Sequence, residues 1–132
     1  MNETHRGSCH CGAVRYRVNG GLRPVSYCHC SQCRKQCGHY YAATQCQTSD
    51  LEVEGEPNLT WYSASDTARR AFCKTCGSAL FWRANGSDRT SILAGSLDGP
   101  TGLAGENHIF VADKGDYYSI DDGLPQYQQY DR

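Results

Sequence analysis

Three cysteines fall within six residues in the stretch Tyr27-Cys28-His29-Cys30-Ser31-Gln32-Cys33. Two close pairs flank it: Cys9-His10-Cys11 before it and Cys73-Lys74-Thr75-Cys76 after it, with 62 residues from Cys11 to Cys73. Thiols crowded in this way answer to one of two constraints, disulfide bridging or metal binding. The disulfide reading leaves one of nine cysteines without a partner. Cysteines two apart on an extended strand also sit near the upper limit for bridging, at a cost in strain. No apolar leader follows Met1-Asn2-Glu3-Thr4-His5-Arg6, so an oxidising, exported setting is not expected. Metal binding is the better reading of the spacing.

Zinc takes four ligands in a tetrahedron, and thiolates suit it; iron also accepts four thiolates. In Cys73-Lys74-Thr75-Cys76-Gly77 the turn presents two sulfurs to one ion, and the glycine takes a backbone conformation that a side chain resists. Cys9-His10-Cys11-Gly12 is tighter and is likewise followed by glycine. Together the two pairs supply four thiolates, a closed structural site that contributes directly to folding. Cys28, Cys30 and Cys33 supply three and leave a coordination position open, the pattern of a catalytic metal. Three thiolates give a zinc centre a net charge of −1, which weakens it as a Lewis acid and favours handling a substrate thiolate over hydrolysis.

The ligand count leaves alternatives. Cys37 is four residues after Cys33 and shares its face on a helix, so it could close the second site, as could His29 or His39. Cys46 has no close cysteine partner and reads as a small buried side chain. His10 and His29 stand between ligands and point the opposite way if their segments are extended.

A length of 132 residues gives one domain with a modest core. A net charge of −1 without a long run of one sign argues against nucleic acid or an anionic membrane as the main partner. The apolar runs are too short to span a bilayer. The expected location is cytoplasmic.

Met1 to Gly7 reads as a loose end. Val14, Tyr16 and Val18 alternate with polar positions, as in a half-buried strand. Val25 to Cys30 alternates again, which puts Cys28 and Cys30 on one side. Ser31 can cap a short helix over 32–37 that Gly38 ends. Strands are expected over 39–44, 51–53, 59–63, 78–82, 90–95 and 108–112, with 68–72 leading into the Cys73 turn. Ser78 to Trp82 is placed centrally. From Asp121 onward the chain is polar and expected to run extended over the surface. Many short strands, frequent turns and one short helix make the fold class all-β.

Three stretches carry a resemblance. Cys9-His10-Cys11-Gly12-Ala13-Val14, then Cys28-His29-Cys30-Ser31-Gln32-Cys33-Arg34, then Phe72-Cys73-Lys74-Thr75-Cys76-Gly77-Ser78-Ala79-Leu80-Phe81 resemble the family of glutathione-dependent formaldehyde-activating enzymes and centromere-protein-V-like proteins. The stretch from His108 to Tyr118 is similar to small bacterial members. The resemblance implies a β-tent of stacked short antiparallel sheets over residues 5–125, followed by a polar tail over 126–132. It implies two zinc ions per chain: a structural one on Cys9, Cys11, Cys73 and Cys76, and a catalytic one on Cys28, Cys30 and Cys33. It implies a carbon–sulfur lyase that joins formaldehyde and glutathione, reversibly, into S-(hydroxymethyl)glutathione. The partners are then a small thiol and an aldehyde. The competing reading is a zinc-stabilised binding module without chemistry. Tyr40, Tyr41, His39 and His108 are candidates for hydrogen bonding or proton transfer. Arg34, Lys35, Arg69 and Arg70 are candidates for meeting a substrate carboxylate.

Overall fold

A computed structural model describes residues 3–130. The alternation of Val14, Tyr16 and Val18 appears as strand β2 (Arg15–Val18), with all three side chains buried. β2 is the middle of a three-stranded antiparallel sheet, between β1 (His5–Ser8) and β5 (Leu51–Glu54). The loose end expected over Met1 to Gly7 is therefore corrected from His5 onward: the backbone groups of 5–8 pair with those of β2. Met1 and Asn2 lie outside the described residues.

The second sheet contains β3 (Val25–Cys28), β4 (Tyr41–Gln47), β6 (Leu59–Ser63), β7 (Ala68–Cys73), β8 (Ala79–Ala84), β9 (Arg89–Leu93) and β10 (Gly105–Ile109). Their spatial order is β10-β3-β4-β9-β8-β7-β6, with β8 inside the sheet as the apolar run from Ser78 predicts. All pairings are antiparallel except one: β10 runs parallel to β3. The stacked sheets are antiparallel as expected but for this one strand pair. The elements between Cys28 and Gly105 supply the long crossover that a parallel pair needs. The architecture is mainly β, with the one α-helix, α1 (Ser31–Cys37), among the described residues.

The pleat of the large sheet divides its residues between two environments. One face carries Cys46, Ala71, Leu80, Phe81 and Ile92 into the main core against Val14, Tyr16 and Val18 of the small sheet. Full burial of Leu80 and Phe81 contributes about 1.5–3 kcal/mol each. The other face carries Tyr41, Ala43 and Trp82 toward α1 and its cysteines. Period-two alternation on β4 makes the split, with Tyr41 and Ala43 on one side and Cys46 on the other. Cys46 is the buried small side chain expected of it.

Several strand boundaries differ from expectation, two of them in elements that line a cavity. Strand β4 starts at Tyr41 rather than His39. Strand β10 ends at Ile109 because Phe110 turns left-handed, at φ 55°. Phe110 donates its N–H to the Gln129 carbonyl at 2.8 Å, and its ring meets Tyr130 edge-on at 4.8 Å. The C-terminal segment runs beside β10, with Tyr127 N–H donated to the His108 carbonyl at 2.9 Å. Asp131 and Arg132, the end of the expected tail, lie outside the described residues.

Candidate metal centres and the cavity beside one of them

Cys9 follows β1, Cys11 follows in the next turn, Cys73 ends β7, and Cys76 lies in the turn to β8. Folding the small sheet onto the β7–β8 hairpin brings these four together. All four sulfurs lie within 4.8 Å of one another. The Cys9–Cys11 separation is 3.6 Å and the Cys11–Cys73 separation 3.8 Å. A tetrahedron with metal–sulfur bonds of 2.3 Å has edges of about 3.8 Å, so these spacings fit one ion. Gly12 and Gly77 adopt φ of 80° and 81°, the left-handed turn that follows each pair. Backbone donors already face the sulfurs: Val14 N–H bonds Cys9 Sγ at 3.3 Å. Hydrogen bonding from Ser78 pulls the Cys76 thiol down to about 5.

The central triplet is built differently. Strand β3 stops at Cys28, so the extended run to Cys30 is corrected. Cys30, not Ser31, caps α1: its sulfur accepts the Cys33 N–H at 3.3 Å, and Gly38 ends the helix in a left-handed conformation. Cys28 and Cys30 still converge, because the helix start turns the second sulfur back toward the strand end. The sulfurs of Cys28, Cys30 and Cys33 lie within 4.8 Å of one another, with 3.0 Å between Cys30 and Cys33. Hydrogen bonds from Cys28 and Cys33 hold the Cys30 thiol far below its usual range, and the same crowding with burial pushes Cys28 up. One sulfur thus carries charge readily and its neighbour resists it, a conflict that a divalent cation removes.

Cys37 stands outside both sulfur groups, and burial raises its thiol to about 11. The histidines stand outside them too. His39 is exposed and bonds the Tyr117 hydroxyl at 2.9 Å. His29 is fully buried on the side away from the sulfurs. Its Nε2 meets His108 Nδ1 at 2.8 Å, its Nδ1 meets the Tyr118 hydroxyl, and His108 Nε2 meets Asp122 Oδ2 at 2.8 Å. This Asp122–His108–His29–Tyr118 chain fastens the segment after β10 to the back of the triplet. Neither Asp122 nor Tyr118 stood out in the sequence, where nothing links them to His29. Burial lowers the His29 ring to about 4, with the neighbouring His108 next in effect.

A cavity of about 600 Å³ opens on the triplet. Cys28, Cys30 and Cys33 all line it, and none of the other four clustered cysteines does. Trp82, Ile109 and Phe110 give it apolar wall, and Ser26 bonded to Asn107 at 2.6 Å gives it polar wall. Arg23 and Glu106 also line it, 3.9 Å apart, with side chains 35% and 39% exposed.

Of the residues named as helpers, Tyr41 and Arg70 line this cavity. Tyr40 and His108 pack instead with Tyr27 and His29. Arg69 lies over the Trp61 ring at 5.0 Å. Lys35 is exposed. Arg70 is 3% exposed and donates to Cys33 Sγ at 3.4 Å and to Gln36 Oε1 at 3.0 Å. Burial opposes its charge, but the Cys33 sulfur outweighs this and raises the guanidinium pKa.

A family model for glutathione-dependent formaldehyde-activating enzymes matches residues 4–113, a span that includes both sulfur groups. The chain belongs to this family. An uncharacterized lyase of Schizosaccharomyces pombe is 30% identical over 117 residues, 88% of this chain and 85% of the yeast protein. A Halomonas elongata protein whose name ascribes it to the glutathione-dependent formaldehyde-activating enzymes is 41% identical over 83 residues, 57% of this chain and 53% of that one. The crystal structure of a Rhodobacter sphaeroides protein superimposes with a TM-score of 0.59 at 26% identity, over 92% of this chain and 98% of that one. Family membership makes this an enzyme-family chain with two thiol groups that could each hold a metal ion.

Proposed function

We propose that the chain is a zinc-dependent carbon–sulfur lyase that makes and breaks the adduct of a small thiol with an aldehyde, in the manner of S-(hydroxymethyl)glutathione formation. The observation that carries this is the placement of three clustered sulfurs on the wall of a cavity, while the other four cluster away from it. Cys9, Cys11, Cys73 and Cys76 would hold a structural zinc, and Cys28, Cys30 and Cys33 a catalytic one. When bound at the triplet, zinc supplies Lewis acidity and stabilises a thiolate at neutral pH.

The chain's own residues do the rest. In the forward direction the substrate sulfur forms a bond to the aldehyde carbon, and the thiol proton ends on the former carbonyl oxygen. The cavity volume lies within the range of small-molecule sites and has room for a tripeptide thiol. Trp82, Ile109 and Phe110 give the reacting centre apolar neighbours on one side. Arg23 and Glu106 in the cavity lining offer one charge of each sign, matching a thiol with both a carboxylate and an ammonium group. Burial pushes the Tyr41 phenol well above its ordinary value, so it remains a donor rather than a base. The need for reduced thiols is consistent with a cytoplasmic setting.

The test is direct. Zinc-loaded protein is mixed with formaldehyde and glutathione, and the hydroxymethyl adduct is followed by NMR against the spontaneous rate. Acceleration that disappears in the Cys33→Ser variant supports the proposal. A protein that holds two zinc ions yet accelerates neither glutathione nor other small thiols is a binding module instead.

A further inference from the structure

We propose that Arg70 is a positioning residue for the Cys28/Cys30/Cys33 centre: its buried guanidinium balances the charge of three thiolates and holds Cys33 in place as a ligand. The inference rests on the reading that this trio holds a metal.

Three thiolates around a divalent ion leave one negative charge in a half-buried site, and an unbalanced charge there is costly. Arg70 carries the opposite charge and has the same difficulty. It is 3% exposed, and among the described residues no carboxylate forms an ion pair with it. Its partners are the Cys33 sulfur at 3.4 Å, the amide oxygens of Gln36 at 3.0 Å and Gln32 at 3.5 Å, and the Tyr41 ring at 5.4 Å. Of these, only Cys33 and its neighbouring sulfurs would be anionic, as thiolate ligands of a bound metal. Each buried charge therefore has the other as its counter-ion.

The geometry also explains why the residue is arginine. Gln32 and Gln36 lie on the same helix as Cys33, one residue before it and three after. Gln32 is itself fixed by an Nε2–H bond to the Ala64 carbonyl at 3.2 Å. The guanidinium fork reaches sulfur and amides together, clamping the helix turn that carries Cys33 onto strand β7. A lysine would bring the charge but not the fork. A hydrogen bond to a ligand sulfur draws electron density from it, so the same contact would leave a bound metal more electrophilic than three free thiolates would.

The experiment measures zinc stoichiometry and the affinity of each site by competition with a chromophoric chelator, for the wild-type chain, R70Q and R70K. We expect two zinc ions in the wild type. In R70Q the weaker-bound zinc should lose roughly 10–100-fold in affinity, the usual effect of removing an outer partner of a ligand. The other zinc should be unchanged. R70K, which keeps the charge, should lose less at the same site, and it decides the matter by the same criterion if R70Q does not fold. Unchanged affinity at both sites, or an equal fall at both, overturns the role of Arg70. A wild-type chain that binds a single zinc overturns the reading of the trio as a metal centre, an outcome distinct from the other two.

Discussion

The two sulfur groups use the same element in opposite ways. Cys9, Cys11, Cys73 and Cys76 come from two glycine-closed turns, one on each layer of the fold, and meet where sheet and hairpin pack together. Cys28, Cys30 and Cys33 come from a single strand-to-helix junction and link nothing distant. The first group is away from the cavity and the second lines it. On the reading proposed above, four thiolates drawn from distant parts of the chain would supply fold stability, whereas three from one locality would leave room for a ligand. Among the described residues, a buried arginine accompanies the second group and not the first.

The sharpest way to break this contrast is to remove one sulfur from each group. Cys73 is fully buried. Structural zinc sites contribute about 10–16 kcal/mol in small domains, comparable with the whole stability of a chain this size. Cys73→Ser is expected to abolish the cooperative thermal transition followed by circular dichroism. A melt within a few degrees of wild type would show that the quartet does not hold the layers together. Cys33→Ser should keep a cooperative melt, hold one zinc ion instead of two, and lose turnover by at least about 100-fold, more than the loss of an outer partner. If its melting is damaged as badly as that of Cys73→Ser, the two groups do not differ in kind.

Acid sharpens the comparison further. His29 lies directly behind the triplet and is buried with its ring held at about 4 against an ordinary 6.5. Between those values the unfolded chain binds a proton that the folded chain refuses. The His29 contribution is thus present above about pH 6.5 and is lost as the pH falls toward 4, amounting to about 3 kcal/mol at most. Denaturant midpoints across this range should decline with falling pH, and the decline should be shallower in His29→Asn. Equal slopes would remove His29 from the account. The smallest effect is expected from Cys37→Ser. Two zinc ions should remain bound and stability should change by less than about 1 kcal/mol. Loss of a zinc ion there would mean that a fourth sulfur closes the trio.

The two groups were legible in the sequence to different degrees for a physical reason. A thiol pair followed by glycine encodes its own turn, so Cys9/Cys11 and Cys73/Cys76 could be paired although 62 residues separate them. The contacts around the triplet depend on which face of which strand meets it. Arg69 and Arg70 are adjacent and alike in composition, yet strand pleating sends one over Trp61 and the other to Cys33. Counting back from the core residue Cys73 assigns them opposite faces, but nothing local says which face the helix covers. Strand β1 was hidden by its polar residues, since its partner supplies the pairing. The parallel β3–β10 pair and the link from His29 to Asp122 are long-range outcomes of topology that no local pattern announces.

The capping of α1 by Cys30 leaves one sulfur with two duties. An oxidant reaching that single atom would strip a donor from the proposed metal centre and fray the first helical turn at once.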